Sequence, residues 1–490
     1  MNSSIIRFIL GNVLKIEGLL LFLPAVVSGI YLEHEGFYYV SVAAVCLLLG
    51  FLMTKKPPKN QVFYLKEGCI TTALSWILLS FFGCLPFYLS GEIPSFSDAL
   101  FETISGFTTT GASILSDVEA LSHCALFWRS FTHWIGGMGV LVFLLAVIPL
   151  SGGSHINLMR AESPGPSVGK LVPKIRYTAR ILYLIYFAMT LLEVIFLLAG
   201  KMPLFDALTT SFGTAGTGGF GIKNDSFVGY SPYLQWVVTI FMILFGVNFN
   251  AYYLALFGAL KKALCMEEVR VYLIIILTSI GIILLNILHT CAGIFEALTH
   301  TAFQVSSIIT TTGFSSIDFD LWPQTSKTIL VLLMFIGACA GSTGGGIKVS
   351  RFILLIKTII KELNSYIHPK LIKKIKMDDK PVEHEVLRST NVYFITFIIV
   401  FSASVFLVSF DNKDFSTNFT AVAATINNIG PGLALVGPTQ NFGHFSLLSK
   451  YVLMFDMLAG RLELFPLLIL FHPAAWKDLF TRRFSQKNHG

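Results

Sequence analysis

Four short segments rich in threonine, serine and glycine stand between long apolar stretches of this chain. Residues 101–112 read F-E-T-I-S-G-F-T-T-T-G-A, and residues 303–314 read F-Q-V-S-S-I-I-T-T-T-G-F with the glycine at the same offset. Weaker copies, A-L-T-T-S-F-G-T-A-G-T-G-G-F and A-A-T-I-N-N-I-G-P-G, end at residues 220 and 432. Backbone without large side chains is tolerated at membrane depth only where its carbonyls face water, protein or an ion. The repetition therefore predicts a shared lining that offers backbone oxygens to a cation.

Each segment is predicted to follow a short helix whose C-terminal, negative dipole end points toward the bilayer centre, which favours a cation. Glycine is needed where a side chain would block an inward carbonyl or force it out of line. One such turn would indicate only a helix break, whereas four in register predict a filter. The candidate ion ligands are the backbones of Thr109, Thr110, Gly111, Thr217, Gly218, Gly219, Thr311, Thr312, Gly313, Asn428, Ile429 and Gly430.

The composition places these segments in a membrane protein. The 490 residues are 54% hydrophobic and 13% charged, which is too little charge to cover a soluble globule of this size. Runs such as residues 271–288 and 392–409 are long enough to cross a hydrocarbon core of about 30 Å as a helix. The first apolar segment resembles a signal peptide only in part, because Lys15 and Glu17 interrupt it and no clean cleavage site follows. We interpret it as a retained helix.

Basic residues concentrate in particular loops, so the net charge of +7 indicates membrane topology and not nucleic-acid binding. The seven scattered cysteines form neither a disulfide framework nor a CxxC metal spacing. The positive-inside rule predicts that both termini and the basic loops are cytoplasmic and that the four segments re-enter from outside. The basic residues are Lys55, Lys56, Lys59, Arg160, Lys170, Lys174, Arg176, Arg180, Lys261, Lys262, Arg270, Lys357, Lys361, Lys370, Lys373, Lys374, Lys376, Arg482 and Arg483.

The elements that must position the filter follow from this topology. We predict an all-α polytopic membrane protein with four parallel helix, pore loop, helix repeats around a pseudo-fourfold central pore, preceded by two extra transmembrane helices. Ten spanning helices result. The predicted division is residues 1–60 for the two N-terminal helices, 66–150, 177–263, 270–363 and 388–475 for the repeats, 364–387 for a basic cytoplasmic linker and 476–490 for a cytoplasmic tail.

Two further features lie in the second helices of repeats. Residues 335–347 contain G-A-C-A-G-S-T-G-G-G-I, which cannot hold a continuous helix and predicts a break in mid-membrane. Close packing of helices by small residues is the alternative. A Walker loop is excluded, because Ile347 separates the last glycine from Lys348 and Val349 stands where Ser or Thr is required. Gly246, Asn248 and Asn250 predict a kink in the second repeat.

Several charged or polar residues keep two interpretations. Arg461 is predicted within a helix from Met454 to Leu470, where a charge must face a cavity or a partner such as Asp456, Glu463 or Glu102. Glu102 and Asp206 fit either a cation-attracting mouth or helix capping. His133 is interpreted as a packed histidine without a ligand role.

These residues resemble the Trk/Ktr/HKT superfamily of potassium transporters, and among them the bacterial TrkH membrane subunits, over essentially the whole chain. Two helices before the first repeat favour that type over the shorter KtrB type. The motifs are T-T-G-A at 109–112, H-W-I-G-G-M-G at 133–139, T-G-G-F at 217–220, T-T-G-F at 311–314, G-S-T-G-G-G-I-K at 341–348, N-N-I-G-P-G at 427–432 and A-G-R-L-E at 459–463.

The resemblance implies potassium as the transported ion, because glycine at position 111 is typical of the potassium-selective members. It implies that an intramembrane loop gates the pore below the filter and that an arginine forms a constriction. The implied gate residues are Gly341, Ser342, Thr343, Gly344, Gly345, Gly346 and Arg461. It also implies a homodimer in the lipid of the bacterial plasma membrane and a cytoplasmic nucleotide-binding subunit of the TrkA type, with no organic cofactor in this chain.

The function predicted from the sequence is a gated potassium-uptake pore driven by the membrane potential. A secondary carrier that couples potassium to protons or sodium is the alternative, although carriers usually have inverted repeats and these repeats are parallel. A membrane enzyme is disfavoured, because the chain has no HExxH, no GxSxG and no pair of intramembrane aspartates at a catalytic spacing.

Overall fold

The computed structural model describes residues 2–58, 64–139, 175–368 and 374–476. Helices account for most of these residues, and the strands among them form a single hairpin of two strands with two residues each. Parts of the predicted map lie outside the described residues: the end of the first repeat beyond residue 139, most of the tail, and the basic positions Lys59, Arg160, Lys170, Lys174, Lys370, Lys373, Arg482 and Arg483.

Two spans precede the repeats. Helices α1 (Ser3–Leu20) and α2 (Phe22–Tyr31) form one apolar span, and α3 (Gly36–Thr54) forms the next. The α1 and α3 backbones approach closely at Gly11 and Gly50, where an added Cβ would lie within 3.0 Å of atoms on the facing helix. Small residues at such a crossing allow close van der Waals packing, which stabilises helix pairs in lipid, where the hydrophobic effect between helices is absent.

Each of the four repeats contains a long helix, a short helix and a second helical stretch, which is interrupted in the second, third and fourth repeats. The first has α4 (Leu65–Ser90), α5 (Phe96–Phe107) and α6 (His123–Gly137); the second has α7 (Ile175–Ala199), α8 (Leu204–Gly216), α9 (Pro232–Phe245) and α10 (Phe249–Leu256), followed by α11 (Leu260–Leu264). The third has α12 (Glu267–Ile287), α13 (Ile294–Ile309), α14 (Gln324–Ile336) and α15 (Val349–Ile367); the fourth has α16 (His384–Val408), α17 (Phe415–Ile426), α18 (Leu447–Arg461) and α19 (Phe465–Leu468). Single 3-10 turns lie at Leu288–Thr290, Phe319–Leu321, Ser409–Asp411, Ala434–Val436 and Ile469–Phe471.

Two of the four short helices, and three of the helices that follow them, begin at side-chain caps. The Ser95 hydroxyl accepts the Asp98 N–H at the start of α5, and the Asp414 carboxylate accepts the Thr417 N–H at 3.0 Å at the start of α17. Ser122, Ser231 and Ser446 cap α6, α9 and α18 in the same way. These caps satisfy N–H groups that the first helical turn leaves unpaired, whereas α8 and α13 begin after Pro203 and Gly293 without a side-chain cap. The sequence therefore sets the start of the short helix locally in the first and fourth repeats.

The repeats pack in a closed ring. The second helix of each repeat contacts the short helix of the next: α6 packs on α8, α9 on α13, α14 on α17, and α18 returns to α5. Lys450 on α18 reinforces the closing contact through a 2.6 Å bond to Asp98 on α5. Because every repeat uses the same face in the same direction, the repeats are parallel and related by a pseudo-fourfold axis.

Six helical stretches among the described residues are long and apolar enough to cross a membrane: Ser3–Tyr31, Gly36–Thr54, Leu65–Ser90, Ala179–Ala199, Glu267–Thr290 and His384–Asp411. Helices α9 and α10 make a seventh if they count as one span, although they meet at 89°. Within the described residues, the second stretches of the other repeats are too short to cross as single helices. The kink predicted at Gly246 and the break predicted within residues 335–347 are both present.

The fourth repeat differs from the sequence prediction. The helix expected from Met454 through Leu470 ends at Arg461, and the chain then turns through Glu463 and Leu464, both with positive φ. Pro466 in the first turn of α19 cannot donate the N–H bond that a continuous helix needs there. Arg461 therefore lies at the end of a helix, next to a turn, and not in the middle of a helix.

The linker between the third and fourth repeats carries a small ordered unit. Strands β1 (Lys376–Met377) and β2 (Lys380–Pro381) form an antiparallel hairpin. Ile375 and Met377 pack on Leu354 of α15, and the Asp378 carboxylate accepts the Glu267 N–H at the start of α12. The linker is thus fixed to the third repeat at both of these helices.

Gly136→Ala tests the close packing inside the ring. A Cβ at this position would overlap the Phe107 carbonyl oxygen, so we expect overpacking to lower the free energy of unfolding by about 1–3 kcal/mol. Gly281→Ala is the matched control, because no atom lies within 4 Å of the position that its Cβ would take in α12. The thermal unfolding midpoint in detergent is the measurement. Equal midpoints for the two variants would contradict the packing argument.

Candidate functional site

The twelve predicted filter residues occupy equivalent positions at the ends of the four short helices. Helices α5, α8, α13 and α17 end one or two residues before Thr109, Thr217, Thr311 and Asn428, and these four residues are left-handed with φ of 56°, 55°, 60° and 55°. The glycines two positions later, Gly111, Gly219, Gly313 and Gly430, have φ of 77°, 76°, 86° and 99°. The alignment of the four segments that the sequence predicts is therefore the one in which equivalent residues have the same backbone conformation.

The same hydrogen bond closes each helix. The N–H groups of Thr110, Gly218, Thr312 and Ile429 donate to the carbonyl five residues earlier, in each case at 2.8 Å. This wrap is the Schellman motif, which returns the N–H groups to their own helix. Within the described residues no donor bonds to any of the twelve carbonyl oxygens of the filter segments. Buried carbonyls without a donor are stable only where water or a cation meets them.

The four segments touch backbone to backbone around a ring. A Cβ built on Gly111 would overlap the Gly218 carbonyl oxygen, and one on Gly219 would overlap the Thr312 oxygen. The contacts continue from Gly313 to the Ile429 oxygen and from Gly430 to the Thr110 oxygen, which lies 2.8 Å from the added Cβ. Each glycine thus faces the carbonyl that precedes the next glycine. Glycine is required at all four positions by both φ and space.

A buried ion pair supports the first two segments. Glu102 of α5 and Arg129 of α6 are almost fully buried, and Arg129 Nη2 lies 2.7 Å from Glu102 Oε1. Glu102 also accepts the Ile114 N–H and the Ser113 hydroxyl, while Arg129 donates to the Gly221 carbonyl. The interpretation of Glu102 as a helix cap was wrong, and its charge is paired with Arg129 and not free to attract a cation. It lies in the middle of α5 and fixes the chain after the filter segment.

His133 connects the first two repeats. Its Nδ1 lies 2.8 Å from the Gly106 carbonyl oxygen, and its Nε2 accepts the Phe220 N–H at 3.2 Å. Because Nε2 accepts a hydrogen bond, it carries no proton, and the ring is neutral with its proton on Nδ1 facing the Gly106 carbonyl. Both ring nitrogens are therefore paired. The interpretation of a packed histidine is confirmed. In the sequence, only the H-W-I-G-G-M-G motif drew attention to His133, and the motif does not identify the groups that its ring contacts.

Residues 337–348 form an intramembrane loop under the third and fourth segments. The Gly345 N–H donates to the Thr311 hydroxyl at 2.6 Å, and the Gly346 N–H donates to the Asn427 carbonyl at 3.1 Å. A Cβ on Gly344 would lie 2.8 Å from the Thr310 carbonyl oxygen. The glycines of this loop therefore allow it to lie directly against the backbone that carries the filter residues.

Arg461 joins this loop to the first repeat. Its guanidinium donates to the Thr343 carbonyl at 3.0 Å, to the Gly137 carbonyl at 2.8 Å and to the Gly136 carbonyl, and it lies 3.3 Å from the Thr109 hydroxyl. The acidic partners proposed from the sequence bind other groups: Glu102 pairs with Arg129, Glu463 pairs with Arg351, and Asp456 accepts the Ser404 hydroxyl.

Lys348 is a buried cation at the base of the loop, where its Nζ donates to the Gly344 carbonyl. Its backbone has φ of 85°, outside the region that a lysine usually adopts. The sequence indicated no role for Lys348. In the structure it lies near Arg461 and the buried Arg351, which donates to the Ile347 carbonyl, so several cations lie on the side of the ring away from the starts of the short helices.

The arrangement combines four helix C-termini, four unpaired carbonyl segments and a loop closed by cationic side chains. A family model described as TrkH, cation transport protein, matches residues 37–478 of the chain. The chain belongs to the TrkH family. Its match with the family model begins at the second span and includes all four filter segments, the intramembrane loop and Arg461.

Relatives in the TrkH family align over almost the full chain. The Trk system potassium uptake protein TrkH of Salmonella typhimurium is 36% identical over 466 residues, which are 93% of this chain and 95% of the relative. The Trk system potassium uptake protein TrkG of Escherichia coli K12 is 32% identical over 98% of this chain and 100% of its own length. The crystal structure of the potassium transporter TrkH from Vibrio parahaemolyticus superimposes with a TM-score of 0.88, at 31% identity and with coverage of 97% and 100%. The predicted all-α, four-repeat fold of a multi-pass membrane protein is confirmed.

Glu102→Ala tests the buried ion pair. The change leaves the Arg129 guanidinium buried without its carboxylate, so we expect a loss of about 3–5 kcal/mol in the free energy of unfolding. Gln304→Ala is the matched control, because Gln304 occupies the equivalent buried position in the third repeat and carries no charge. Thermal and denaturant unfolding in detergent measure both. If Gln304→Ala lowered the free energy of unfolding as much as Glu102→Ala, the ion pair would contribute no more to stability than an uncharged buried side chain.

Proposed function

We propose that this chain is the pore-forming subunit of a bacterial potassium-uptake system. The four filter segments replace the hydration shell of the ion with carbonyl oxygens, and the membrane potential drives entry. The ring of glycine-to-carbonyl contacts is the observation that carries the proposal, because it brings four unpaired carbonyl segments around one axis. The names of the relatives, Trk system potassium uptake proteins, support potassium as the ion.

The proposal assigns ion binding to residues 109–111, 217–219, 311–313 and 428–430. It takes the four repeats as 66–150, 177–263, 270–363 and 388–475, with 364–387 as a cytoplasmic linker and 476–490 as a cytoplasmic tail. Both termini are cytoplasmic by the positive-inside rule. The short helices then enter from outside, and the intramembrane loop and Arg461 lie on the cytoplasmic side of the filter.

The loop closes the pore in this proposal. Residues 341–346 lie against the third and fourth segments, and Arg461 donates to the Thr343 carbonyl. The charge of Arg461 repels a cation that leaves the filter, and its hydrogen bonds hold the loop in place. Opening requires the loop to move away from the axis. A cytoplasmic nucleotide-binding partner of the TrkA type and a second copy of this chain complete the assembly that the resemblance implies.

Gly111→Ser tests the filter. Serine at φ of 77° is strained, and its Cβ would displace the Gly218 carbonyl, so we expect the preference for potassium over sodium to fall about tenfold. Potassium and sodium fluxes into liposomes at an imposed voltage measure the preference. Gly281→Ser in α12 is the control and should leave it unchanged. Unchanged preference in Gly111→Ser would overturn the filter assignment, and flux that needs a proton or sodium gradient would favour the carrier.

Arg461→Ala tests the constriction in the same liposomes. Removal of the charge and of the bonds to the loop should raise potassium flux about tenfold, which corresponds to about 1.4 kcal/mol of barrier. Arg461→Lys keeps the charge without the planar fork of donors, so its flux should lie between those of the wild type and Arg461→Ala. Equal flux in all three proteins would remove Arg461 from the gate.

A further inference from the structure

Glu268 lies at the start of α12, outside the sequence motifs, and is almost fully buried. Its Oε1 accepts the Ala340 N–H at 2.6 Å and the Ser350 N–H at 3.2 Å, and its Oε2 accepts the side-chain N–H of Asn248 at 3.1 Å. Ala340 and Ser350 stand on either side of the segment that contains the predicted gate residues. One carboxylate oxygen therefore holds both ends of the intramembrane loop.

The third bond of Glu268 extends this contact to the second repeat. Asn248 is the N-cap of α10, where its Oδ1 accepts the Asn250 N–H at 3.0 Å. The loop reaches the same break: the Cys339 N–H donates to the Gly246 carbonyl, and the Gly341 carbonyl accepts the Phe249 N–H. The beginning of the loop is thus fixed at several points, and all of them surround Glu268 and Asn248.

The middle of the loop is held differently. Thr343, Gly345 and Gly346 bond to Arg461, to the Thr311 hydroxyl and to the Asn427 carbonyl, which are groups of the pore itself. These contacts must break when an ion passes, whereas the contacts of Glu268 lie to the side and can persist. Thr343 also donates to the Phe245 carbonyl, so the middle and the beginning of the loop both contact the break after α9, but only the two ends bond to Glu268.

On the basis of the proposed function, we propose that Glu268 is a positioning residue that clamps both ends of the intramembrane loop. Opening is then a movement of residues 342–347 between two fixed ends, and the strength of the clamp sets how often the loop leaves the pore without a partner. Bonds from backbone N–H groups to a carboxylate are stronger than neutral ones, which suits an anchor that must hold while the middle of the loop moves.

The test uses an isosteric variant and its rescue. Glu268→Gln leaves an amide N–H facing the Asn248 N–H, so that bond is lost and the remaining bonds lose their charge. We expect basal potassium flux in liposomes to rise about threefold or more, with the preference for potassium over sodium unchanged. Addition of Asn248→Asp restores an acceptor opposite the amide and still caps α10, so the double variant should return to within about twofold of the wild type.

Glu267→Gln is the matched control, because the neighbouring side chain pairs with Lys357 and does not contact the loop. Hydrogen exchange of the peptide covering residues 338–350 gives a readout that does not depend on conduction, and it should be faster in Glu268→Gln and normal in Glu267→Gln. If Glu268→Gln does not fold, Asn248→Ser removes only the third bond and keeps a capping oxygen, with the same expected directions.

Unchanged exchange in a folded Glu268→Gln protein would overturn the clamp. Faster exchange with unchanged flux, in liposomes where the wild type conducts potassium, would overturn its control of opening. Failure of the double variant to restore flux would do the same. Faster exchange together with a wild type that carries no potassium would support the anchor and reject the proposed function, so the two failures are distinguishable.

Discussion

The backbone of each filter segment runs against the carbonyl oxygen of the next, at a separation that leaves no room for a Cβ atom. This contact has no side chain that could adjust to an error, so the four segments must be held in position by the structure around them. The Schellman turns direct the N–H groups away from the ring and leave the carbonyl oxygens without donors. A rigid frame with free carbonyls is the arrangement that can replace the hydration shell of a cation.

The supports of the ring are polar and differ among the repeats. The first repeat uses the Glu102 and Arg129 ion pair and the neutral His133, and the fourth reaches the first through Asn428, whose side-chain N–H donates to the Thr110 hydroxyl. The third repeat has the uncharged Gln304 where the first has Glu102. A buried charge in a membrane protein is costly unless it is paired, which is why Arg129 and Glu102 occur together. The fourfold relation is therefore one of backbone and not of side chains.

The broken helices below the ring depend on one another. Helices α9 and α10 meet at a break whose backbone groups bond to the loop of the third repeat. N–H groups of that loop in turn donate to the Glu268 carboxylate and to the Asn427 carbonyl. Irregular backbone is stable in a membrane only where protein satisfies its hydrogen bonds. Each break thus supplies the partners that the other needs. The loop of residues 337–348 is consequently tied to two other repeats as well as to its own.

The sequence alone determined the membrane class, the four parallel repeats, the equivalence of the four Thr/Gly-rich segments and the break before Val349, because hydropathy and glycine placement are local signals. It offered Arg461 and not Arg129 as a partner for Glu102, assigned no role to Glu268, and predicted a helix through Arg461 that ends there instead. Those features depend on contacts between residues far apart in the chain, such as Glu268 with Ala340 or Arg461 with Gly137. Tertiary structure decided them, since a buried polar group selects its partner by position in space and not by its neighbours in sequence.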